Sequence, residues 1–272
     1  MGTRERPEPA GPDPVEASTG WGVLHLFYRV QHRRAEQEPG GAKHVLDAVE
    51  RLTGDGTHQA LTFAVLGHKA DLGVVALGPD LARLQAFQHD LTRAPLRPTW
   101  SYVSLTELSE YQATEDDERA RLAAEEQLTD PDQVEARLAT WRERITHYRE
   151  QRLHPHLPAK RAICFYPMSK RRLGADNWYE LDFADRKALM AGHARVGRTY
   201  AGRVLQLITG STGLDDWEWG VTLLADDPVA LKQIVYEMRF DEVSARYADF
   251  GPFVTGLVLD PADALRRVGL DA

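Results

Sequence analysis

Residues 162–172, with the sequence AICFYPMSKRR, hold the side chains best suited to chemistry. Side chains alternate between the two faces of a β-strand, so Tyr166, Met168 and Lys170 are expected to share one face. A phenol, a thioether and a cation in a row suit a large flat ligand that carries carboxylates. Pro167 is expected to weaken further pairing of this strand, because proline has no amide hydrogen to donate. Alternatively, the segment is a strand end with a tyrosine at its rim and a solvated basic tail.

A histidine and a glutamine add to this set. His193 lies on the apolar face of a predicted helix, where a lone histidine is usually a packed core residue. Its functional alternative is specific, because a porphyrin already supplies four nitrogens to iron and the protein needs to add one imidazole. Gly192 and Gly197 would let a planar ring approach the helix backbone. Gln206, among apolar strand residues, is either an amide paired to backbone or a neutral donor above a metal-bound ligand.

Other polar residues are less specific. Arg152 is one of many arginines, for which a surface role is the default. Ser244 lies near a helix end whose charged residues can pair among themselves. His154 and His156 form an H-x-H pair, but no third ligand for a structural metal is in view.

The composition is that of a globular protein. The chain has 272 residues, of which 43% are hydrophobic, and a formal net charge of −8. This acidic balance argues against a nucleic-acid surface, which needs a basic footprint, and no apolar run approaches the roughly 18 residues of a membrane span. The start of the chain lacks the apolar region of a secretory signal, and the single cysteine, Cys164, excludes an internal disulfide. Together these features predict a cytoplasmic protein.

The order of the predicted elements repeats. Residues 73–87 and 220–236 both run from a glycine through a short apolar strand and a small turn into a helix. The order strand, helix, strand pair, helix and strand occurs twice. This predicts an α+β protein with two ferredoxin-like halves in a dimeric α+β barrel-type arrangement, with antiparallel sheets and helices outside. The predicted divisions are a disordered tail (1–19), an N-terminal half (20–111), a charged helical insertion (112–151) and a C-terminal half with the functional residues (152–272).

Four longer stretches carry a family resemblance: YPMSKRR (166–172), NWYEL (177–181), LMAGHARVGRTYAGRVLQLITGSTGLDDWEWGVTL (189–223) and VYEMRFDEVSARYADFG (235–251). Weaker matches are SYVSLTELSEY (101–111) and GHKADL (67–72). These stretches resemble the chlorite dismutase superfamily, and within it the branch of coproheme decarboxylases. The likeness is dense from residue 152 to residue 256 and looser before it.

The resemblance implies a role for each residue of the candidate site. His193 is similar to the family's axial iron ligand, Tyr166 to its redox-active tyrosine and Gln206 to its distal residue. The implied catalytic set is completed by Lys170. The implied substrate-binding residues are Tyr111, Arg152, Tyr166, Pro167, Met168, Ser169, Lys170, Gln206 and Ser244.

Two departures within the superfamily bear on the chemistry. Chlorite-degrading members carry an arginine where this chain has Gln206, which argues against chlorite chemistry. Another branch of decarboxylases uses a distal histidine that precedes the YPM strand, and Gln206 argues against that branch too. Histidines near that place in this chain are His147, His154 and His156.

The implied activity is the peroxide-dependent decarboxylation of two propionates of Fe-coproporphyrin III (coproheme) to vinyl groups. The product is heme b, and the step is the last one of coproporphyrin-dependent heme biosynthesis. Coproheme is then both substrate and redox cofactor, and hydrogen peroxide is the oxidant. The resemblance also implies a homopentamer and a ferrochelatase partner that hands over the substrate. The alternatives are a chlorite dismutase or heme peroxidase, and a heme carrier, which would need His193 but not Tyr166 and Lys170 together.

Overall fold

In the computed structural model of the protein, residues 13–37 and 40–270 are described. The strands in this part are β1 (Gly22–Val30), β2 (Gln59–Val65), β3 (Leu72–Gly78), β4 (Leu96–Thr106), β5 (Ala162–Lys170), β6 (Val204–Gly210), β7 (Trp219–Ala225), β8 (Ala248–Phe250) and β9 (Val254–Leu259). The α-helices are α1 (His32–Gln37), α2 (Gly41–Thr53), α3 (Leu81–Leu91), α4 (Glu115–Glu125), α5 (Pro131–Leu153), α6 (Phe183–Arg198), α7 (Pro228–Met238), α8 (Glu242–Tyr247) and α9 (Pro261–Arg267). Two single-turn 3-10 helices, Gly174–Asp176 and Trp178–Glu180, lie between β5 and α6.

The strands close into one antiparallel barrel. In the first half the strand order is β4–β1–β3–β2, and in the second half the corresponding order is β9–β5–β7–β6. The two sheets join edge to edge through the pairs β2–β9 and β4–β6, while β8 pairs with the end of β5. Each half therefore has the ferredoxin-like order of strands and helices. The predicted α+β fold, with antiparallel strands, is confirmed.

The barrel has an apolar interior and separate cores on its outer faces. Buried aromatic and aliphatic side chains fill the interior, among them Phe27, Phe63 and Phe165. On the outside, α2 and α3 cover the sheet of the first half. In the second half α7 packs on the outer face of the sheet through its buried residues. Helix α6 lies beside α7 and also contacts α8.

The repeat seen in the sequence reappears in the way that two helices begin. The Asp80 carboxylate accepts a hydrogen bond from the amide of Ala82 (2.9 Å) at the start of α3, and Asp227 does the same for Val229 (2.9 Å) at the start of α7. Such caps satisfy amides that have no partner within the helix. Pro79 precedes α3, since Asp80 occupies the cap position.

Strand β5 continues past Pro167, contrary to the expected weakening. Pro167 pairs with Gly220 of β7, and the strand then pairs with β8 as far as Lys170. Proline lacks only the donor, and its carbonyl oxygen accepts a hydrogen bond from the amide of Gly251 (2.9 Å). Lys170 is therefore held in regular strand geometry, on the same face as Tyr166.

The predicted charged insertion contains α4 and α5, which pack as a hairpin. Leu122, Val134 and Leu138 form its small core. A pair between Lys187 and Asp117 (2.7 Å) joins this hairpin to α6. In the part of the chain that the structure describes, every helix is too short or too polar to cross a bilayer.

The tail predicted to be disordered falls in part on residues 1–12, which lie outside the described residues. Beyond them, the Val15 amide donates to the Asp80 carboxylate (3.0 Å), and the Val15 carbonyl accepts from Leu81 (2.8 Å). This part of the tail is therefore held at the start of α3.

Candidate functional site

The outer face of β5, β7 and β6 brings the two central candidates together. Tyr166 pairs with Val221 of β7, which pairs in turn with Ile208 of β6. Directly paired residues of neighbouring strands point to the same face, and so do residues two apart on one strand. Gln206 therefore lies on the same face as Tyr166, separated from it by the width of one strand.

Tyr166 is held in an aromatic pocket. Its side chain is buried, with the ring stacked on that of Phe253 at a centroid distance of 4.3 Å, and Phe250 lies 5.8 Å away. Burial raises the pKa of Tyr166 well above its ordinary value, against the opposite effect of the Arg239 guanidinium. The phenol therefore stays protonated at neutral pH and does not lose its hydrogen by ionisation.

Lys170 is a buried cation at the end of the same strand. Its ammonium lies 4.3 Å from the ring centroid of Trp178, a cation–π contact. Burial lowers the pKa of Lys170 to about 8, even though the carboxylates of Asp241 and Glu218 favour the charged form. A buried ammonium of this kind is a natural partner for a carboxylate ligand.

His193 is oriented by a carboxylate. Its Nδ1 lies 3.0 Å from Oδ2 of Asp241, which caps α8 by accepting from the Ser244 amide (3.1 Å) and hydroxyl (3.0 Å). Although burial disfavours the charged form of Asp241, the hydrogen bonds from His193 and Ser244 keep its pKa below the ordinary value. With Nδ1 occupied, Nε2 is the ring nitrogen left to bind a metal.

Gln206 reaches across from the sheet to α6. Its Nε2 donates a long hydrogen bond of 3.4 Å to the carbonyl oxygen of Gly197. A Cβ atom at Gly197 would meet Cε of Met238 at 3.1 Å, so this glycine permits close helix packing rather than facing open space. At Gly192 a Cβ would meet nothing within 4 Å, so only this glycine of the expected pair borders open space.

Arg152, at the end of α5, lies at the edge of β6. Its Nη2 donates long hydrogen bonds to the carbonyl oxygens of Ile208 (3.3 Å) and Glu107 (3.4 Å). Its Nε is buried without a hydrogen-bond partner. The guanidinium thus retains unused donors beside the strand that carries Gln206.

Tyr111 packs against Trp178 and the start of α6. Its hydroxyl accepts from Nε of Arg186 (3.2 Å), and its ring stacks on Phe183 at 5.7 Å and meets Trp178 edge-on at 6.3 Å. Since Trp178 also contacts Lys170, Tyr111 belongs to the wall behind the ammonium.

The remaining candidates differ in placement. Met168 shares the outer face with Tyr166, whereas Pro167 and Ser169 alternate to the opposite side, where the Ser169 hydroxyl accepts from the Glu218 amide (3.2 Å). Of the three histidines near the end of α5, His147 contacts Gln151, His154 contacts Glu150 and lies 5.1 Å from the ring centroid of Trp21, and His156 is exposed.

Several apolar residues around the site are only partly buried. Gly197 is the one buried residue of α6, and the apolar residues Leu189, Met190 and Val196 of this helix stay partly exposed. The sheet residues Met168, Gln206 and Ile208 are partly exposed as well. Partly exposed apolar residues, with the cations Lys170 on β5 and Arg152 beside β6, are suited to a flat ring that carries carboxylate arms.

Three residues of this site were not found from the sequence. Asp241 contacts His193, the Arg239 guanidinium lies 5.6 Å from the ring of Phe250 beside Tyr166, and Trp178 lies under Lys170. The D-x-x-S spacing of Asp241 and Ser244 is a helix-start signal. That signal identifies a cap, but not the distant histidine that the same carboxylate holds.

These observations define a class: an α+β barrel of two ferredoxin-like units with a candidate porphyrin site on the outer face of its second half. The chain belongs to the chlorite dismutase family, since the family model named Chlorite dismutase matches residues 41–259. It is 40% identical over 269 residues to a coproheme decarboxylase of Thermus thermophilus, covering 94% of this chain and 96% of the relative. It is 39% identical over 257 residues to a coproheme decarboxylase of Staphylococcus carnosus, covering 90% of this chain and 94% of the relative.

A solved structure supports the same assignment. It is described as a heme-binding protein of Thermus thermophilus and superimposes with a TM-score of 0.75 at 38% identity. The similarity covers 94% of this chain and 100% of that chain.

Proposed function

We propose that this protein is a coproheme decarboxylase. It uses hydrogen peroxide to convert two propionates of coproheme to vinyl groups and releases heme b. Relatives at 39 and 40% identity that span nearly the whole chain are named for this activity. The observation in the structure that carries the proposal is the shared outer face that presents Tyr166, Gln206 and Lys170 beside His193 of α6.

The binding roles follow from the chemistry of each side chain. His193, oriented by Asp241, would hold the iron through its Nε2. Lys170 and Arg152 bind propionates, since burying a carboxylate without a charged or hydrogen-bonding partner is costly. Ser244, whose hydroxyl donates to Asp241, belongs to the same proposed set. Tyr111, Pro167, Met168 and Ser169 complete the proposed substrate-binding set.

The bound coproheme supplies the iron that reduces peroxide and the propionates that react. Gln206 is neutral, so it can orient peroxide without proton exchange. Tyr166 would give its phenolic hydrogen, as a proton and an electron, to the oxidant derived from peroxide, and would then take a hydrogen atom from the β-carbon of the propionate beside it. The second electron would pass from that carbon to the same oxidant as the carboxylate leaves as carbon dioxide. Each propionate consumes one peroxide and one proton, and yields a vinyl group, one carbon dioxide and two waters. Burial and the Phe253 stack exclude water from the phenol during this exchange.

The alternatives have less support. A chlorite dismutase of this family would be expected to carry an arginine in place of Gln206. A heme carrier has no use for a buried phenol and a buried ammonium on one strand, yet Tyr166 and Lys170 are both buried here.

Mixing the purified protein with coproheme and peroxide, followed by mass spectrometry of the porphyrin, tests the proposal. Loss of two carboxyl groups per porphyrin is the expected result. An unchanged porphyrin, with oxygen release on addition of chlorite, would instead identify a dismutase. Tight binding with neither reaction would identify a carrier.

We also propose a biological setting that rests on the family resemblance. The protein acts in the cytoplasm as a homopentamer and receives coproheme through a transient contact with a ferrochelatase. Residues 152–272 form the half that carries the site, after the helical insertion 112–151. Size measurement in solution tests the pentamer.

A further inference from the structure

A buried carboxylate that belongs to none of the proposed roles lies beside Lys170. Glu218 directly precedes β7 and is only 4% exposed. Its amide donates to the carbonyl oxygen of Met168 on β5 (3.1 Å), and its own carbonyl oxygen accepts from the amide of Ser211 after β6 (2.7 Å). The backbone on both sides of this residue is therefore fixed by the strands that carry the site.

The Glu218 carboxylate accepts three hydrogen bonds from one stretch of chain. Its Oε2 accepts from the backbone amide of Lys170 (2.7 Å). Its Oε1 accepts from Nη2 of Arg172 (2.8 Å) and from the hydroxyl of Tyr179 (2.7 Å). The Arg172 guanidinium supplies the counter-charge that a buried carboxylate needs. One side chain thus joins the two ends of residues 170–179, the stretch that leaves β5.

Lys170 and Trp178 meet within this closed stretch. The amide of Trp178 donates to the carbonyl oxygen of Arg171 (2.9 Å), and its ring lies 4.3 Å from the Lys170 ammonium. Glu218 holds the amide of Lys170 itself and also holds Tyr179, the residue after Trp178. The geometry of the cation–π contact therefore depends on a carboxylate that belongs to neither of its two residues.

We propose that Glu218 is a positioning residue that fixes Lys170, with its Trp178 contact, where a propionate of the substrate is bound. This inference rests on the proposed function. Both carboxylate oxygens of Glu218 accept from the protein, so the inference assigns this residue no contact with the substrate. Its effect on coproheme binding passes through Lys170.

A double-mutant cycle on coproheme binding tests the proposal. The variants are Glu218→Gln, Lys170→Met and the double variant, with Glu180→Gln as a matched control that neutralises an exposed carboxylate just after the same stretch. Glutamine has the size of glutamate but offers one acceptor oxygen in place of two, so at least one of the three donors loses its partner. Dissociation constants are measured at about pH 7 by absorbance titration of the ligand-free proteins.

Glu218→Gln should raise the dissociation constant about tenfold when Lys170 is present and leave it unchanged in the Lys170→Met background. The control should match the parent. An equal effect of Glu218→Gln in both backgrounds, or no effect in either, would overturn the inference. Failure of the parent protein to bind coproheme at all would refute the proposed function instead.

A pH profile separates this role from a general loss of structure. The carboxylates of Glu218 and Asp241 both favour the charged form of Lys170, against the effect of burial. With Asp241 and the Arg172 guanidinium left in place, loss of the Glu218 charge should move the weakening of coproheme binding to lower pH than in the parent. A profile that stays in place or moves to higher pH would overturn the inference.

Melting curves define a temperature at which all the variants are folded. Should Glu218→Gln not fold, Tyr179→Phe replaces it in the same cycle, since it removes one of the three hydrogen bonds and leaves the carboxylate in place. Tyr179→Phe should then weaken binding only when Lys170 is present, and an equal effect in both backgrounds would count against the inference.

Discussion

The titration of Lys170 gives the most quantitative prediction for substrate binding. Burial lowers its pKa to about 8 in the ligand-free protein, and only the charged ammonium pairs with a propionate. From about pH 7 to about pH 9 the charged fraction falls from about nine-tenths to about one-tenth, so the apparent dissociation constant for coproheme should rise about tenfold. Binding takes up one proton at the upper end of this range.

The assay is a set of absorbance titrations across that pH range with the parent and Lys170→Met. Methionine keeps much of the length of the side chain but has no proton to lose, so its binding should be weaker and should lack this tenfold change. The difference between the two pH profiles gives the contribution of Lys170, because the other titrating groups of the protein and of the substrate are the same in both measurements. If the variant follows the same pH profile as the parent, the reasoning is refuted.

The titration of Lys170 should also change the free energy of unfolding. A rise in pH weakens coproheme binding but stabilises the fold. The folded protein loses the Lys170 proton near pH 8, whereas the unfolded chain keeps it to about the ordinary value of 10.5. Between these values the unfolded state binds more protons, so a rise in pH stabilises the fold through this group. The free energy of unfolding of the parent, measured by urea denaturation, should therefore rise relative to that of Lys170→Met between about pH 8 and about pH 10.

Three further changes test separate parts of the structure. Asp241→Asn should raise the iron reduction potential of the coproheme complex, because a neutral partner makes His193 a less basic ligand; an unchanged potential would show that the pair does not tune the iron. Phe253→Ala should lower the free energy of unfolding by about 2 kcal/mol, because Tyr166 loses its stacking partner; urea denaturation with no loss would contradict this. Leu138→Ala should speed hydrogen exchange in α4 and α5 while the barrel amides stay protected; equal acceleration everywhere would show that the hairpin is not a separate unit.

Strand periodicity and helix-start signals, which depend only on neighbouring residues, were enough to predict which residues of β5 share a face and where two helices begin. The alternation along β5 placed Tyr166 and Lys170 on one face because side chains in a strand repeat every two residues. The repeat around Asp80 and Asp227 could be recognised because, in each half, the helix after the third strand begins with the same aspartate cap. The roles of the site residues remain predictions, since geometry alone does not test them.

Contacts between distant segments could not be predicted in this way. Asp241 meets His193 across 48 residues of sequence, and that approach depends on how α8 packs against α6. The cation–π contact of Lys170 depends on the path of the chain after β5, which brings Trp178 back under the ammonium. The prediction that Pro167 would weaken strand pairing was wrong, because a proline carbonyl oxygen can still accept a hydrogen bond within a sheet.

The most direct test of the proposed reaction compares the parent with Tyr166→Phe after each is loaded with coproheme and given peroxide. Phenylalanine preserves the ring that stacks on Phe253 and removes only the hydroxyl. We predict that the variant binds coproheme as the parent does, but that mass spectrometry finds no vinyl product. Formation of heme b by this variant at the parent rate would contradict the central role of Tyr166.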